Sequence, residues 1–213
     1  MELRLADLEP AQRYRLLGSL IVPRPIAWVT TRSPGYPVNA APISFFNLFG
    51  DDPPVVALGL GDGARPDGSP KDTQRNVLAS GEAVIHLVDE PLLDAMVASA
   101  SPLPADVGEP ELLGLDLVPS VDVAVPRIAA APVALEARLI DHKRYSKGYL
   151  FAVFEVLRAH LRDGLADPTT LKVDWSAYQP VGRLLGISYL RTHDRFDRPV
   201  PSPQALLDRQ SGS

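Results

Sequence analysis

"GLGDGARPDGSP", residues 59–70, is the stretch that decides the fold. Its first six residues satisfy G-x-G-x-x-A directly after the apolar run "VVALGL" (55–60). Glu82 follows about twenty residues on, where a dinucleotide fold keeps its ribose-binding acid. That fingerprint requires a helix to begin inside the glycine loop, so that its N-terminus faces the pyrophosphate. Pro66, Gly68 and Pro70 forbid a helix there. The stretch therefore reads as a connection from a buried strand to a later helix, and a doubly wound parallel sheet is set aside.

On the C-terminal side, Ser69 is predicted to cap a helix with Pro70 at its first position and Asp72 at its third, running to about Ser80 and stopped by Gly81. "AVIHLV" (83–88) reads as a strand and "PLLDAMVASA" (91–100) as a helix opened by Pro91. Residues 101–127 hold five prolines and read as an irregular excursion that could gate a substrate. "VALEARLID" (133–141) and "YLFAVFEVLRAHL" (149–161) read as long strands. On the N-terminal side, Pro10–Leu20 has Tyr14, Leu16, Leu17 and Leu20 on one helical face. "PIAWVTTR" (25–32) is a strand ended by a turn at Ser33-Pro34-Gly35, and Asp51-Asp52-Pro53-Pro54 is a further turn. Helices fall between strands irregularly, without βαβα alternation, which predicts one α+β, mainly β domain over 1–213: a closed or split β-barrel with short flanking helices. The core is expected over 12–199, with 200–213 an extended tail.

Composition narrows the function. The chain has 213 residues, a net charge of −5, 46% hydrophobic residues, 22 prolines and no cysteine. It shows no dense Lys/Arg block, so nucleic acid is not an expected partner. No apolar run approaches the roughly 20 residues of a membrane helix. "MELRLADLEP" lacks the basic start and apolar stretch of a secretory signal, and a cytoplasmic location is expected. Without Cys there are no disulfides, iron–sulfur clusters or thiol nucleophiles. His86, His142, His160 and His193 are not at metal spacings and are read as structural or surface residues; no metal is expected. Neither a G-x-S-x-G elbow nor a Walker A loop occurs, and no catalytic side-chain set is assigned.

Three stretches carry chemistry of a different kind. In "SPKDTQRN" (69–76), a helix start offers N–H groups and partial positive charge, Lys71 adds a full charge and Thr73 a hydroxyl. Asp72 would repel an anion and is assigned to the cap; Asn76 lies one turn on. From spacing alone this is either an anion site or a solvated helix start. In "PRPIAWVTT" (23–31), two prolines fix Arg24 in extended backbone, ready to grip an anion. Thr30 and Thr31 face opposite sides of a strand, so only one can face a pocket, and Trp28 is either a pocket wall or barrel core. In "NAAPISFFN" (39–47), Ala40 and Ala41 permit close approach of a flat ligand and Pro42 stiffens the chain. Ser44 and Asn47 offer hydrogen bonds, and Phe45 or Phe46 an apolar wall; the alternative is a turn with buried Phe.

Taken together, "VPRPIAWVTT" (22–31), "NAAPISFFN" (39–47), "DPP" (52–54), "RPDGSPKDTQRN" (65–76), the Gly-Leu of "LLGLDLVPS" (112–120) and "PVGRLLGISY" (180–189) resemble the flavin reductase-like family of FMN-binding split barrels. That group contains flavoredoxin and the reductase components of two-component monooxygenases, and the likeness spans roughly residues 12–199. The resemblance implies a homodimer binding FMN, or FAD in its place, with NAD(P)H as co-substrate and a monooxygenase or another electron acceptor as partner. It implies that Trp28, Val29, Thr30 and Thr31 and the loop Asn39, Ala40, Ala41, Pro42, Ser44, Phe45 and Phe46 line the isoalloxazine and ribityl chain. It further implies that Arg24, Thr30, Lys71 and Thr73 hold the phosphate, that Asp72 and Asn76 support that loop, and that Arg183 and Tyr189 approach the cofactor. Some relatives carry a Gly-Asp-His loop before the last long strand, near the nicotinamide; here the corresponding place reads "YSKGY" (145–149), without His. The expected function is an NAD(P)H-dependent flavin oxidoreductase; the alternative is a flavoredoxin-like FMN carrier or sensor without NAD(P)H turnover of its own.

Overall fold

The computed structural model of the chain describes residues 1–62, 70–204 and 206–207. Its centre is a seven-stranded antiparallel sheet in the order β2-β1-β5-β8-β9-β4-β3. The strands are β1 (Ala27–Thr31), β2 (Asn39–Ile43), β3 (Phe46–Asp51), β4 (Pro54–Gly61), β5 (Glu82–Leu87), β8 (Val133–Ser146) and β9 (Tyr149–Leu161). Two short pairs stand apart, β6 (Leu117–Val118) with β7 (Arg127–Ile128) and β10 (Val181–Arg183) with β11 (Tyr189–Arg191). The helices are α1 (Pro10–Leu20), α2 (Asp72–Ser80), α3 (Leu93–Ala98) and α4 (Glu109–Leu112).

The two edges of the large sheet, β2 and β3, are consecutive in sequence and joined only by Ser44 and Phe45. The chain thus passes from one edge of the curled sheet to the other in two residues. Gly59 N–H donates to the Phe45 carbonyl at this junction (2.7 Å). The cylinder is closed by the chain itself, while no ladder joins β2 to β4. This is the split β-barrel expected from the sequence.

Alternation along the strands fills the barrel. Val29 of β1, Val56, Leu58 and Leu60 of β4, Ile85 of β5 and Phe154 of β9 form one core with Val77 of α2. Trp28, Ala40, Val88, Met96 and Ile128 form a second cluster behind β1. Residues 101–127 pack on this outer face. Val123 and Val125 bury against Val84 and Ala134, and the Glu136 carboxylate accepts N–H bonds from Val121, Asp122 and Val123. The segment expected as a gate thus lies over β1, β5 and β8. Buried His86 is structural, as expected: its Nδ1 lies 2.8 Å from the Trp28 carbonyl and Nε2 accepts from Ile128 N–H (2.9 Å), which fixes the proton on Nδ1.

Three local expectations change. α2 begins at Asp72 with Lys71 at the N-cap position, so Pro70 precedes the helix; Ser69, the expected cap, lies outside the described residues. Gly81 does end α2, in the left-handed conformation that glycine favours (φ 70°). "NAAPI" is a strand and not a loop. Ala40 N–H donates outward to Glu109 (2.9 Å), so the nitrogen of Pro42, two residues on, also faces away from β1, where no ladder donor is needed. The tail from 200 has helical backbone at Pro203–Gln204 and Leu206–Leu207 and is not wholly extended.

Candidate functional site

A cleft of about 260 Å³ opens at the seam between β2 and β4. It has two chemically distinct ends. One is the start of α2, with Lys71, Thr73 and Gln74; the other is Pro42, Ser44 and Phe45 with Tyr14 of α1 and Tyr149 of β9. The unlaced edge of β2 contributes Ala41 through Ile43 to the wall.

At the first end, polar side chains tie α2 to β1 and β2. Asn39 Nδ2 donates to Thr73 Oγ1 (3.0 Å), and Asn76 Nδ2 donates to Thr31 Oγ1 (3.2 Å). Ser33 Oγ donates to Asn76 Oδ1 (2.8 Å). Thr73 accepts from Asn39, which leaves its own proton for a donor role toward the cleft. The Lys71 side chain is exposed, with no ion-pair partner among the described residues. Asp72 lies 2.6 Å from the Arg75 guanidinium, an ion pair along the helix. Gln74 Nε2 donates to Asp62 Oδ1 (2.7 Å), and Arg144 at the tip of the β8–β9 hairpin contacts both Asp62 and Gln74. Arg144 is the main cause holding the Asp62 carboxyl below its ordinary value, so this end of the cleft is braced by a carboxylate already neutralised.

At the second end the rings of Phe45 and Tyr149 stand 5.0 Å apart, and Tyr14 lies 6.3 Å from Phe45. Burial, reinforced by the neighbouring Tyr14, pushes the Tyr149 phenol above its ordinary value, keeping it protonated at neutral pH. Gly59 makes the arrangement possible, since a Cβ there would lie 2.8 Å from the Phe45 Cβ. Beyond this ring pair is a second cavity of about 420 Å³, which shares Phe45, Gly59 and Tyr149 with the cleft.

The structure divides the residues singled out from sequence. Ala41, Pro42, Ser44, Phe45, Lys71 and Thr73 line the cleft, with Thr31, Asn39 and Asn76 bonded behind them. Arg24 is 7% exposed and serves as a staple. It donates to the carbonyls of Gly18 and Ile21, which the end of α1 leaves without helical partners, and to the Leu184 carbonyl and Ser44 Oγ. Trp28 is core, its Nε1 donating to Ser99 Oγ (2.9 Å), and Val29 lies inside the barrel. Of the two threonines, Thr31 faces the α2 network, while Thr30 points the other way and donates to the Pro126 carbonyl (2.8 Å). β1 runs between β2 and β5, so ladder bonds also occupy its main chain. Ala40 belongs to the outer core, and Phe46 packs on the barrel core while lining the second cavity. Arg183 hydrogen-bonds Gly186 O and covers the Tyr189 ring (4.5 Å); neither lines the cleft within one chain.

Tyr14, Gly59, Gly61, Gln74 and Tyr149 line the cleft without having been singled out for it. The two glycines were read as a failed nucleotide loop. They lie within β4, where their missing side chains make room for Phe45 and Tyr149; Gly63 and Ala64, the rest of that pattern, lie outside the described residues.

The fold is shared with known proteins. A protein of Halalkalibacterium halodurans is 39% identical over 95% of this chain and 98% of its own length. The structure of Pseudomonas fluorescens 2-nitrobenzoate 2-nitroreductase NbaA is similar at 34% identity and a TM-score of 0.86, covering 95% of this chain and 98% of that one. Nitrilotriacetate monooxygenase component B from Bacillus cereus matches at 27% identity and a TM-score of 0.86, over 93% and 98% of the two chains. The profile of the flavin reductase like domain matches residues 18–182, and the chain belongs to that family.

Proposed function

We propose that the chain is a single-domain, NAD(P)H-dependent flavin reductase that holds FMN in the cleft between β2, β4 and α2. The observation that carries this reading is one trough with the Lys71 ammonium and the Thr73 hydroxyl at one end and an aromatic wall at the other. That polarity matches a phosphorylated cofactor with a flat ring. Lys71, Thr73 and the start of α2 hold the phosphate, where full charge, hydroxyl donor and helix dipole coincide. Asn39, Thr31 and Asn76 fix the position of Thr73 and α2. Pro42 and Ser44 place the β2 edge along the cofactor, and Phe45 and Tyr149 exclude water from its ring end. The bound flavin supplies the hydride chemistry, which needs no protein acid or base.

The chain functions in this reading as a homodimer in the cytoplasm, with Arg183 and Tyr189 reaching the partner's cofactor. Its reduced flavin serves a small organic acceptor or an oxygenase, as the names of the nitroreductase and the monooxygenase component suggest by similarity. No helix among the described residues is long and apolar enough to cross a membrane.

A second reading, a flavoredoxin-like carrier or sensor, is favoured by one feature: the hairpin Tyr145–Tyr149 contains no His. Anaerobic mixing of FMN-loaded protein with NADH or NADPH separates the two. Rapid bleaching of the flavin supports the reductase, and a flavin that stays oxidised with both supports the carrier.

A further inference from the structure

The second cavity is built differently from the cleft. Val56, Leu58 and Leu60 of β4 point into the barrel, and the alternating Ala57 and Gly59 form a bare floor on the outer face. Aromatic rings rise on both sides of that floor. Phe49 meets Phe151 edge-on at 6.4 Å, and Tyr145 meets Phe151 edge-on at 6.0 Å. The result is a slot of about 420 Å³ with few polar groups, suited to one flat ring held between ring edges and faces.

The rim adds charge. The hairpin 141–149 carries Lys143, Arg144 and Lys147 against the single acid Asp141, in a chain whose net charge is −5. Arg144 is committed to Asp62. The exposed Lys143 is paired across the ladder with Phe151, and its ammonium sits 5.2 Å from the centre of the Tyr145 ring. Lys147 follows Ser146 of the lining, and neither lysine has an ion-pair partner among the described residues. An apolar slot whose hairpin rim carries Lys143 and Lys147 complements a planar ring that carries a carboxylate.

We propose that this cavity binds a small aromatic carboxylate. The shared wall of Phe45, Gly59 and Tyr149 places that ring next to the cleft. Its standing as the acceptor site rests on the flavin reading above, whereas the binding site itself does not. A dinucleotide is the poorer fit, because the slot has room for a single ring system and, among the described residues, its lining offers only Asn47 and Ser146 as polar side chains besides the tyrosine hydroxyls.

The test is calorimetric titration of FMN-treated protein with benzoate and, in parallel, neutral benzyl alcohol and NADH, with FMN content and particle size measured on the same samples. Expected are one benzoate per chain, benzyl alcohol weaker by tenfold or more, a tenfold or larger loss in Lys143→Gln/Lys147→Gln, and no benzoate binding in Ala57→Leu, which fills the floor. FMN content should not change in either variant. Should Ala57→Leu fail to fold, the surface lysine pair decides. The proposal is overturned by no benzoate binding, by equal affinity for benzyl alcohol, by unaltered binding in the variants, by NADH alone responding to them, or by Ala57→Leu splitting a dimer. If benzoate binds in the expected pattern while FMN is never taken up, the aromatic site stands and the flavin reading falls.

Discussion

Phe45 rests on the bare backbone of Gly59: the Gly59 N–H donates to the Phe45 carbonyl across 2.7 Å, and a Cβ on residue 59 would meet that of Phe45 at 2.8 Å. This contact ties the link between β2 and β3 to β4 and sets the ring that separates the cleft from the aromatic cavity. Gly59→Ala must therefore displace Phe45 or bend β4, at a cost of about 1–3 kcal/mol. Chemical denaturation should show that loss, together with weaker FMN binding. Wild-type stability in Gly59→Ala would show that Phe45 is not held by this contact.

Lys71 stands at an exposed helix cap without an ion-pair partner among the described residues, so removing it should not disturb folding. Lys71→Ala is expected to leave the thermal midpoint unchanged and to weaken FMN binding tenfold or more. A charge-assisted hydrogen bond of this kind contributes about 1.5–3 kcal/mol. Fluorescence titration of FMN measures it directly.

Arg24 should behave in the opposite way. Its guanidinium satisfies carbonyls on α1 and on the segment after β10, far apart in sequence, and it is nearly buried. Arg24→Leu leaves those carbonyls unpaired and should lower stability by roughly 2–4 kcal/mol. Arg24→Lys should recover little, since one ammonium cannot reproduce the planar fork. A variant of full stability that has lost FMN affinity alone would return Arg24 to the role of anion grip.

His86 predicts an acid-sensitive fold. Burial, the largest cause, lowers its pKa from 6.5 to about 4, so the native ring stays neutral while the unfolded one takes up a proton below pH 6.5. The stability is present in full above pH 6.5 and is lost as pH falls toward 4, by on the order of 3 kcal/mol over that window. Urea midpoints measured from pH 7 to 4 should fall accordingly in the wild type and more shallowly in His86→Gln. Parallel curves would contradict the assignment.

The sequence made the barrel legible where side chains follow the strand period. The runs 83–88 and 149–161 are β5 and β9 almost to the residue, and 133–141 is the first part of β8, which continues to Ser146, because one face of each carries hydrophobic core residues. It hid β2, since two alanines and a proline carry no strand propensity; an edge strand tolerates Pro42 for a reason visible only in the ladder. The anion end of the cleft was legible in Lys71 and Thr73 because a helix start concentrates those groups locally. The ring end was not. Tyr14, Gly59 and Tyr149 come from three distant elements, and only barrel closure brings them together. Arg24 and Thr30 show the complementary limit: residue type gave their chemistry, but the direction of each side chain came from packing.

The most direct test of the central claim is a visible-absorbance titration of the purified protein with FMN. The expected result is a perturbed flavin spectrum that saturates at one FMN per chain in the wild type and requires at least tenfold more FMN in Lys71→Ala. A spectrum identical to that of free FMN at every protein concentration, or identical titrations for the two proteins, would contradict a phosphate-binding end at Lys71 and Thr73.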